Sequence, residues 1–375
     1  MQVFNCSYCG NLVFFNSVHC VQCGHTLAFV PDRMAMHAME PVPESDGAPG
    51  IFTLLPASSS TLRYRQCFNY TQWNNCNFAV PEHSHNLQCV ACRQTEKLPD
   101  LSSASNVAAW SQLEGAKRQL FYTLAQLGLQ SVNDGPRPDP GPRYAFLADW
   151  PNGDPVMTGH ANGTITINLA EANNAERIKR RVDLSEPYRT LLGHLRHESG
   201  HYYWDRLVAD AGGQEAFRAV FGDERDDYKA ALERHYARGE VNDWQAQHVT
   251  AYAASHPWED WAETWAHYLH MIDLLETAAS YDTALALPEP RAVRRPPVRI
   301  ANPYDPVNGP DFATMVRQWS PLTLLLNSMN RSLGQEDAYP FAVSAGALKK
   351  LSFVHDIVAR FHGANASHAE SFAAT

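Results

Sequence analysis

Cysteine is missing from the last three-quarters of this 375-residue chain, because all eight cysteines lie before residue 93. Any thiolate metal site or disulfide is therefore confined to the N-terminal part. Nothing in the sequence approaches the ~18 consecutive apolar residues of a membrane-spanning helix. Residues 1–15 also carry no Lys or Arg ahead of their apolar residues, as a signal peptide would. We therefore expect a cytoplasmic protein without a membrane anchor.

An excess of positive charge is also absent. The 40 Asp and Glu outnumber the 30 Lys and Arg, which gives a net charge of −10 and disfavours a large nucleic-acid-binding surface. Residues 1–31 contain no Lys, Arg, Asp or Glu, so they offer no such cation to a phosphate group. We expect this segment to contact protein, in the same chain or in a partner, and not nucleic acid.

The eight cysteines fall into two groups of four. In the first group Cys6 and Cys9 form one CxxC, Cys20 and Cys23 form another, and ten residues separate the two. Each CxxC turn places two thiolates on one side of a tight loop, and two such turns complete a tetrahedron around zinc with Zn–S bonds of about 2.3 Å. A disulfide interpretation needs an oxidising compartment, which the missing signal peptide argues against. The spacing predicts a zinc ribbon over residues 1–28.

The second group is less regular. It contains one CxxC and a pair of cysteines with eight residues between them, in the order Cys67, Cys76, Cys89 and Cys92. We predict a second structural zinc site because these four cysteines supply all the ligands of one tetrahedral zinc ion and leave no cysteine unused. The alternatives are a site that uses His83 or His85, or two buried thiols beside an isolated CxxC. Residues 29–100 are then a linker and this second module, with a connecting loop at 29–60.

Beyond residue 100 the apolar periodicity is mainly helical, and we assign 101–375 to one large domain. A β hairpin with its turn at Asn162-Gly163 interrupts the helices. The first predicted helix begins near Val107, and the second runs from an N-cap at Ser185 to Leu207. We then predict a charged surface helix at 213–238 and a buried, Trp-rich helix at 259–278. Two further helices are predicted on either side of Pro321, and a last one around 351–361.

The predicted helix that runs to Leu207 carries the sequence HExxH, from His197 to His201. Residues four apart lie on one face of a helix, so both histidines can bind one metal ion. Glu198 then lies beside the metal, where it can take a proton from a metal-activated water and pass it to the leaving amine. Gly200 weakens a helix by about 1 kcal/mol, which predicts that another part of the chain approaches closely there.

A catalytic zinc ion needs a third protein ligand and an open position. Downstream, Glu259 and Glu263 are one helical turn apart, so both can face the helix that carries the histidines. We predict Glu259 as the third ligand and Glu263 as the carboxylate that fixes the tautomer of a ligand histidine. The alternative is that Glu259 is a solvated carboxylate at the helix start and that Glu263 is the ligand.

The sequence HExGH, a downstream ExxAE, and Tyr252 seven residues before the first Glu together resemble the gluzincin arrangement, and locally the anthrax lethal factor type of metallopeptidase. The resemblance implies that Glu259 binds zinc and that Tyr252 stabilises the oxyanion; a packing role for Tyr252 is the alternative. Over its whole length, with the N-terminal ribbon and the run RTLLGH at 189–194, the chain is similar to a bacterial family of zinc-binding metallopeptidases with zinc ribbons.

We therefore expect an α+β protein, in which a mostly helical, zincin-like metallopeptidase domain with a small β hairpin or sheet follows the zinc-ribbon modules. The expected function is zinc-dependent hydrolysis of peptide bonds, with one catalytic and one or two structural zinc ions. A peptide or protein would be the substrate, and the ribbon could bind a protein partner; no nucleic acid or membrane is expected. The alternatives are a non-catalytic, zinc-stabilised adaptor and a zinc hydrolase of a non-peptide amide.

Overall fold

The computed structural model describes residues 1–43, 49–56, 62–133, 141–150, 153–173, 190–286, 296–305 and 309–373. The chain divides into two compact units. The first consists of Met1–Gln126 with Gln130–Asn173, and the second of Leu127–Leu129 with Asn174–Thr375. The cysteines and the two larger sheets lie in the first unit, and the second is mostly helical with one two-stranded sheet, which confirms the predicted α+β class.

The first unit begins with a short hairpin and a five-stranded antiparallel sheet, whose strands follow sequence order from β3 to β7. The outer strands approach each other again, because the backbone N–H of Phe29 donates to the carbonyl of Asn77 at 2.8 Å. The sheet is therefore curled almost to closure. The strands are β1 Phe4–Asn5, β2 Leu12–Val13, β3 Thr26–Val30, β4 Ala35–Pro41, β5 Ile51–Leu55, β6 Arg63–Gln66 and β7 Ala79–Pro81, and helix α1 is Phe68–Trp73.

The predicted connecting loop at 29–60 is wrong for the described part of that stretch, which supplies most of strands β3 to β5. The physical reason is visible in β4, where Met36 and Ala38 are buried while Ala35 and His37 are partly exposed. This alternation with a period of two is that of a strand with one face in a core.

A second, mixed sheet in the first unit has the strand order β10-β11-β9-β8. Its strands β10 and β11 form the predicted hairpin, and Asn162 and Gly163 in the turn have positive φ angles of 51° and 78°, as a type I′ turn requires. Helix α2 confirms the helical pattern that begins near Val107. The bounds are β8 Thr95–Lys97, α2 Ala104–Gln126, β9 Arg143–Leu147, β10 Gly159–Ala161 and β11 Thr164–Asn168.

The core of the first unit joins both cysteine groups to helix α2. Six aromatic side chains pack together there with buried cysteines of the two groups. Helix α2 contributes Phe121 and Tyr122, which are 2% and 0% exposed, respectively. The cysteine groups are therefore part of one core with α2. The aromatic residues are Phe4, Phe15, Phe29, Phe78, Phe121 and Tyr122.

The second unit is built from helices. Helix α3 begins at Leu191, and the Thr190 side chain caps it by accepting a hydrogen bond from the Gly193 N–H at 2.9 Å; the predicted N-cap Ser185 lies outside the described residues. Among the described helices, none is long and apolar enough to cross a membrane. The elements are α3 Leu191–Trp204, α4 Gln214–Phe221, α5 Tyr228–Arg238, α6 Pro257–Ser280, β12 Ala284–Leu285, β13 Val298–Arg299, α7 Phe312–Ser332 and α8 Ala345–Ala373.

Helices α3 and α6 pack against each other at Gly200. A Cβ atom at this position would lie 2.9 Å from the Cα of Ala262, so only glycine allows the observed approach. This confirms the prediction made from Gly200. The Trp261 indole N–H donates to the Gly200 carbonyl at 2.8 Å, and that of Trp265 donates to the Ser199 hydroxyl at 3.1 Å. These contacts fix the position of α3 relative to α6.

Two helix predictions in this unit are wrong. The expected single helix at 213–238 is two helices, α4 and α5, because Gly222 with a φ of 101° ends α4 and the Asp227 side chain caps α5. The expected break at Pro321 does not occur, since α7 continues through it. Proline lacks the N–H of one helical hydrogen bond, but flanking turns can tolerate that loss.

Candidate metal centre

The facing surfaces of α3 and α6 bring three potential metal ligands together. His197 and His201 are one turn apart on α3, and Glu259 lies in the first turn of α6. The Oε2 atom of Glu259 is 3.1 Å from Nε2 of His197 and 3.6 Å from Nε2 of His201. One ligand atom from each residue lies within 4.8 Å of the others. The three predicted ligands thus share one small space.

The chemistry of these atoms fits a divalent metal ion. The Oε2 atom of Glu259 is buried and accepts no hydrogen bond of acceptable geometry from the described residues, as expected for an atom reserved for a metal. Burial raises the pKa of Glu259, but His201 and His197 together hold it well below the ordinary value. Two imidazole nitrogens and one carboxylate oxygen are a ligand set that zinc accepts.

Glu263 contacts the other side of His197. The Oε1 atom of Glu263 is 2.7 Å from Nδ1 of His197, so a hydrogen on Nδ1 leaves the lone pair of Nε2 directed at the metal space. The hydroxyl of Thr250 donates to Oε2 of Glu263 at 2.8 Å. Both oxygens of this carboxylate are therefore occupied. In this geometry it is Glu259, and not Glu263, that faces both Nε2 atoms.

Glu198 follows His197 on α3, and it is 9% exposed. Its burial raises the pKa of the carboxyl group, although the positive charges of His197 and His201 oppose this shift. A raised pKa makes this carboxylate a stronger proton acceptor than an ordinary glutamate.

Tyr252 lies in a short 3-10 turn before α6, with its ring centroid 6.0 Å from that of His197. No hydrogen bond to its hydroxyl occurs among the described residues. Burial and then the charge of Glu259 raise the pKa of Tyr252, so the hydroxyl keeps its proton. It is therefore able to donate a hydrogen bond to a ligand near the metal space.

Tyr228, which the sequence interpretation missed, contacts the metal cluster directly. Its hydroxyl donates to Oε1 of Glu259 at 2.6 Å. The signals that could have placed it were Gly222 and Asp227, which end one helix and begin another. No spacing rule links residue 228 to residue 259, so the contact itself follows from tertiary structure alone. Thr250 was missed for the same reason.

The neighbour of Glu259 on α6 anchors the C-terminal helix. Asp260 is fully buried, and its Oδ2 atom is 2.5 Å from Nζ of Lys350 on α8 and 3.1 Å from Nδ1 of His248. A buried carboxylate that lost such a partner would be left as an uncompensated charge, at a cost of about 3–5 kcal/mol. The first turn of α6 is thus held by α8 on one side while it presents Glu259 on another.

The first cysteine group has its four sulfur atoms within reach of one metal ion. Cys6 and Cys23 are 3.8 Å apart at sulfur, and Cys9 and Cys20 are 3.6 Å apart. Four sulfurs at about 2.3 Å from one zinc ion lie about 3.8 Å from one another in a tetrahedron. The backbone N–H of Cys23 helps to lower the pKa of Cys20 to about 6, which favours the thiolate.

The second cysteine group has the same geometry, and it is entirely buried. Its sulfur atoms approach to 3.7 Å and 3.8 Å, and the cluster includes neither His83 nor His85. All eight cysteines of the chain are free of disulfide bonds. The group that converges consists of Cys67, Cys76, Cys89 and Cys92.

A buried cation accompanies this second group. Arg118 on α2 is 7% exposed and donates to the carbonyl of Asn75, next to Cys76, at 3.3 Å. Burial alone lowers the pKa of Arg118, but the nearby cysteines and Glu114 raise it. Four thiolates and one Zn²⁺ carry a net charge of −2, so a neighbouring guanidinium lowers the cost of burying them.

Comparison with known protein families identifies the class of this chain. Residues 106–357 match the model of a family described as "putative zinc-binding metallo-peptidase". The chain belongs to this metallopeptidase family. Residues 3–103 match a zinc-ribbon domain model, and this match contains both cysteine groups.

The chain has mycobacterial relatives of nearly equal length. It is 37% identical over 360 residues to the uncharacterized protein Rv2568c of Mycobacterium tuberculosis (strain ATCC 25618 / H37Rv), a match that covers 96% of this chain and 95% of the relative. The uncharacterized protein Mb2598c of Mycobacterium bovis (strain ATCC BAA-935 / AF2122/97) matches with the same identity and the same coverage. No solved structure matches the chain.

Proposed function

We propose that the protein is a zinc-dependent peptidase, with its catalytic zinc held by His197, His201 and Glu259. The observation that carries this proposal is the convergence of two imidazole Nε2 atoms on a buried carboxylate oxygen that has no other partner. Zinc bound there would polarise the scissile carbonyl and acidify the attacking water. Membership in the zinc-binding metallopeptidase family supports the same assignment.

Glu198 is the general base in this mechanism. Its burial and raised pKa suit it to take a proton from the attacking water and then to deliver that proton to the nitrogen of the leaving amine. Glu263 keeps the Nδ1 atom of His197 occupied, which holds the imidazole in the tautomer and orientation that metal binding needs. Thr250 in turn fixes the carboxylate of Glu263.

Tyr252 is the proposed donor to the oxyanion of the tetrahedral intermediate. Its hydroxyl stays protonated because burial and the charge of Glu259 raise its pKa. A donor of this kind that strengthens its hydrogen bond as negative charge develops is worth about 3–4 kcal/mol in the transition state. The substrate is a peptide or protein.

The two cysteine groups hold structural zinc in this proposal. Their sulfur separations of 3.6–3.8 Å suit four-coordinate sites that are closed to substrate. The first ribbon exposes Tyr8, Phe14 and Val21, which makes it the better candidate for contact with a protein partner. The cytoplasmic location stays a prediction.

Hydrolysis of a mixture of quenched fluorescent peptides tests the mechanism. Glu198→Gln preserves the size of the side chain but removes the proton acceptor, so we expect a fall in rate of roughly 10²–10⁴-fold with unchanged zinc content. Glu215→Gln, which changes an exposed glutamate on α4, serves as the matched control and should keep the wild-type rate.

The outcomes separate the three candidate functions. Full activity in Glu198→Gln would remove the general-base role. A wild-type protein that binds zinc and a protein partner but hydrolyses no peptide would support the adaptor. Turnover of non-peptide amides in place of peptides would support the third candidate.

A further inference from the structure

The two oxygens of Glu259 have different surroundings. Oε2 faces the Nε2 atoms of His197 and His201, whereas Oε1 accepts a hydrogen bond from the hydroxyl of Tyr228 at 2.6 Å. A carboxylate whose oxygens were both free could rotate about its last bond or offer both oxygens to a metal. The hydrogen bond to Oε1 removes this freedom, and it leaves Oε2 as the ligand atom.

Tyr228 is itself held in place from two directions. It is the first residue of α5, where the Asp227 side chain caps the helix by accepting a hydrogen bond from the Ala230 N–H at 3.0 Å. Its ring packs edge-on against the ring of His256, with the centroids 5.2 Å apart. The position of the hydroxyl therefore does not depend on the hydrogen bond to Glu259 alone.

His256 connects this arrangement to the helix that carries Glu259. Its Nδ1 atom accepts a hydrogen bond from the backbone N–H of Trp258 at 3.1 Å, so it caps α6. The hydrogen of the imidazole is then on Nε2, which lies 3.0 Å from the carbonyl of Asp226 and donates to it. The His256 side chain thus links the residues just before α5 to the first turn of α6 by hydrogen bonds. This link helps to fix the distance between Tyr228 and Glu259.

We propose that Tyr228 is a positioning residue of the metal centre, whose hydroxyl presets Glu259 to bind metal through Oε2 alone. A single carboxylate oxygen and two imidazoles leave the fourth position of a zinc ion open for substrate. Hydrogen bonds to charged groups are stronger than those between neutral groups, which favours one orientation of the carboxylate. The inference rests on the proposed function, because it takes the trio with Glu259 as the catalytic zinc site.

Zinc affinity tests the inference directly. Tyr228→Phe removes only the hydroxyl, and partners of this kind typically change metal affinity by about 10–100-fold. We expect Tyr228→Phe to bind one zinc ion 10–100-fold more weakly in competition with a chromophoric chelator, while the zinc of the cysteine groups stays bound. Tyr281→Phe is the matched control, because Tyr281 is an exposed tyrosine just beyond the other end of α6; it should match wild type.

Thermal unfolding separates positioning from a purely structural role. The His197→Ala variant lacks a ligand of this zinc, so Tyr228→Phe should lower its melting temperature by less than it lowers that of the zinc-loaded protein if the hydroxyl acts through the metal. In the zinc-loaded wild-type background the same substitution should lower the melting temperature. Equal decreases in both backgrounds would overturn the inference.

Two further results separate this inference from the proposed function. If His197→Ala binds as many zinc ions as wild type, the proposed metal centre fails, and the Tyr228 inference fails with it. If His197→Ala loses one zinc ion but Tyr228→Phe keeps wild-type affinity, only the positioning role of Tyr228 is overturned.

Discussion

Glu259 and Glu263 are one helical turn apart, but their carboxylates have different surroundings. Glu259 is 1% exposed and faces two Nε2 atoms, while Glu263 contacts Nδ1 of one histidine and the hydroxyl of Thr250. A ligand and its supporting carboxylate can therefore come from one helix, because residues four apart share a face. The same spacing made both residues predictable from the sequence.

Substitution of Glu263 tests its supporting role. Glu263→Gln keeps a hydrogen-bond acceptor for Nδ1 of His197 but removes the charge, so we expect zinc affinity at the HExxH site to fall by about 10–100-fold. Thr250→Val, which frees one oxygen of the same carboxylate, should lower affinity in the same direction by a smaller factor. Competition with a chelator measures both; wild-type affinity in Glu263→Gln would show that His197 needs no such support.

Tyr228 marks the limit of sequence interpretation at this scale. The spacing of four residues between His197 and His201, and between Glu259 and Glu263, can be read along the chain. Tyr228 is brought to Glu259 by the tertiary fold and follows no such spacing. The charges around it predicted only a surface helix. Its hydroxyl contacts Glu259 because α5 and α6 begin close together in the fold. No local pattern in the sequence predicts that packing.

Among the helices, the contact between α3 and α6 is sensitive to side-chain size. Gly200 and Ala262 allow the two backbones to approach, and two tryptophans of α6 hydrogen-bond to α3. The three residues proposed to bind the catalytic zinc come from both helices. Their separation therefore depends on a residue that binds no metal.

Gly200→Ala is expected to destabilise the second unit. The added Cβ would lie 2.9 Å from the Cα of Ala262, so the helices must separate, and overpacking of this kind costs about 1–3 kcal/mol. Denaturant unfolding measures the change, and weaker zinc binding should accompany it. Gly115→Ala on α2 is the control: the nearest atom there is 4.0 Å away, and the gain in helix propensity is about 1 kcal/mol. Similar effects of both substitutions would refute the packing argument.

Elements with a strong local signal were predicted well. The turn at Asn162-Gly163 and the buried helix rich in tryptophan both occur, because the turn residues and the apolar spacing determine local structure directly. Pro321 was expected to end a helix, but α7 continues through it. Packing of a long helix can outweigh the loss of one hydrogen bond, and that balance is a tertiary property.

For the molecule as a whole, the first unit combines the cysteine groups with helix α2. The match to the metallopeptidase family begins at residue 106, yet α2 packs in the same core as the cysteines. The predicted domain boundaries at 28 and 100 remain predictions. The linker interpretation failed because short strands with several Met and Ala residues have weak β propensity, and the closing of the sheet stabilises them.

Elemental analysis of protein purified without added metal tests the number of zinc ions. The two groups of four cysteines and the group of His197, His201 and Glu259 would each hold one zinc ion, so we expect about three ions per chain. His197→Ala and Cys6→Ser should each lose one, while Ser7→Ala, next to a ligand in the first ribbon, is a control that should keep all three. Two ions in wild type with no loss in His197→Ala would contradict the peptidase assignment.

The salt bridge between Asp260 and Lys350 has a consequence for synthesis of the chain on the ribosome. The histidines of α3 leave the ribosome first, and α6 follows with Glu259. The buried carboxylate next to Glu259 has no lysine partner until residue 350 has emerged. A nascent chain would therefore carry the residues of the proposed metal site before the helix that holds them is anchored, so we expect any hydrolytic activity that the site supports to arise only after residue 350 has emerged.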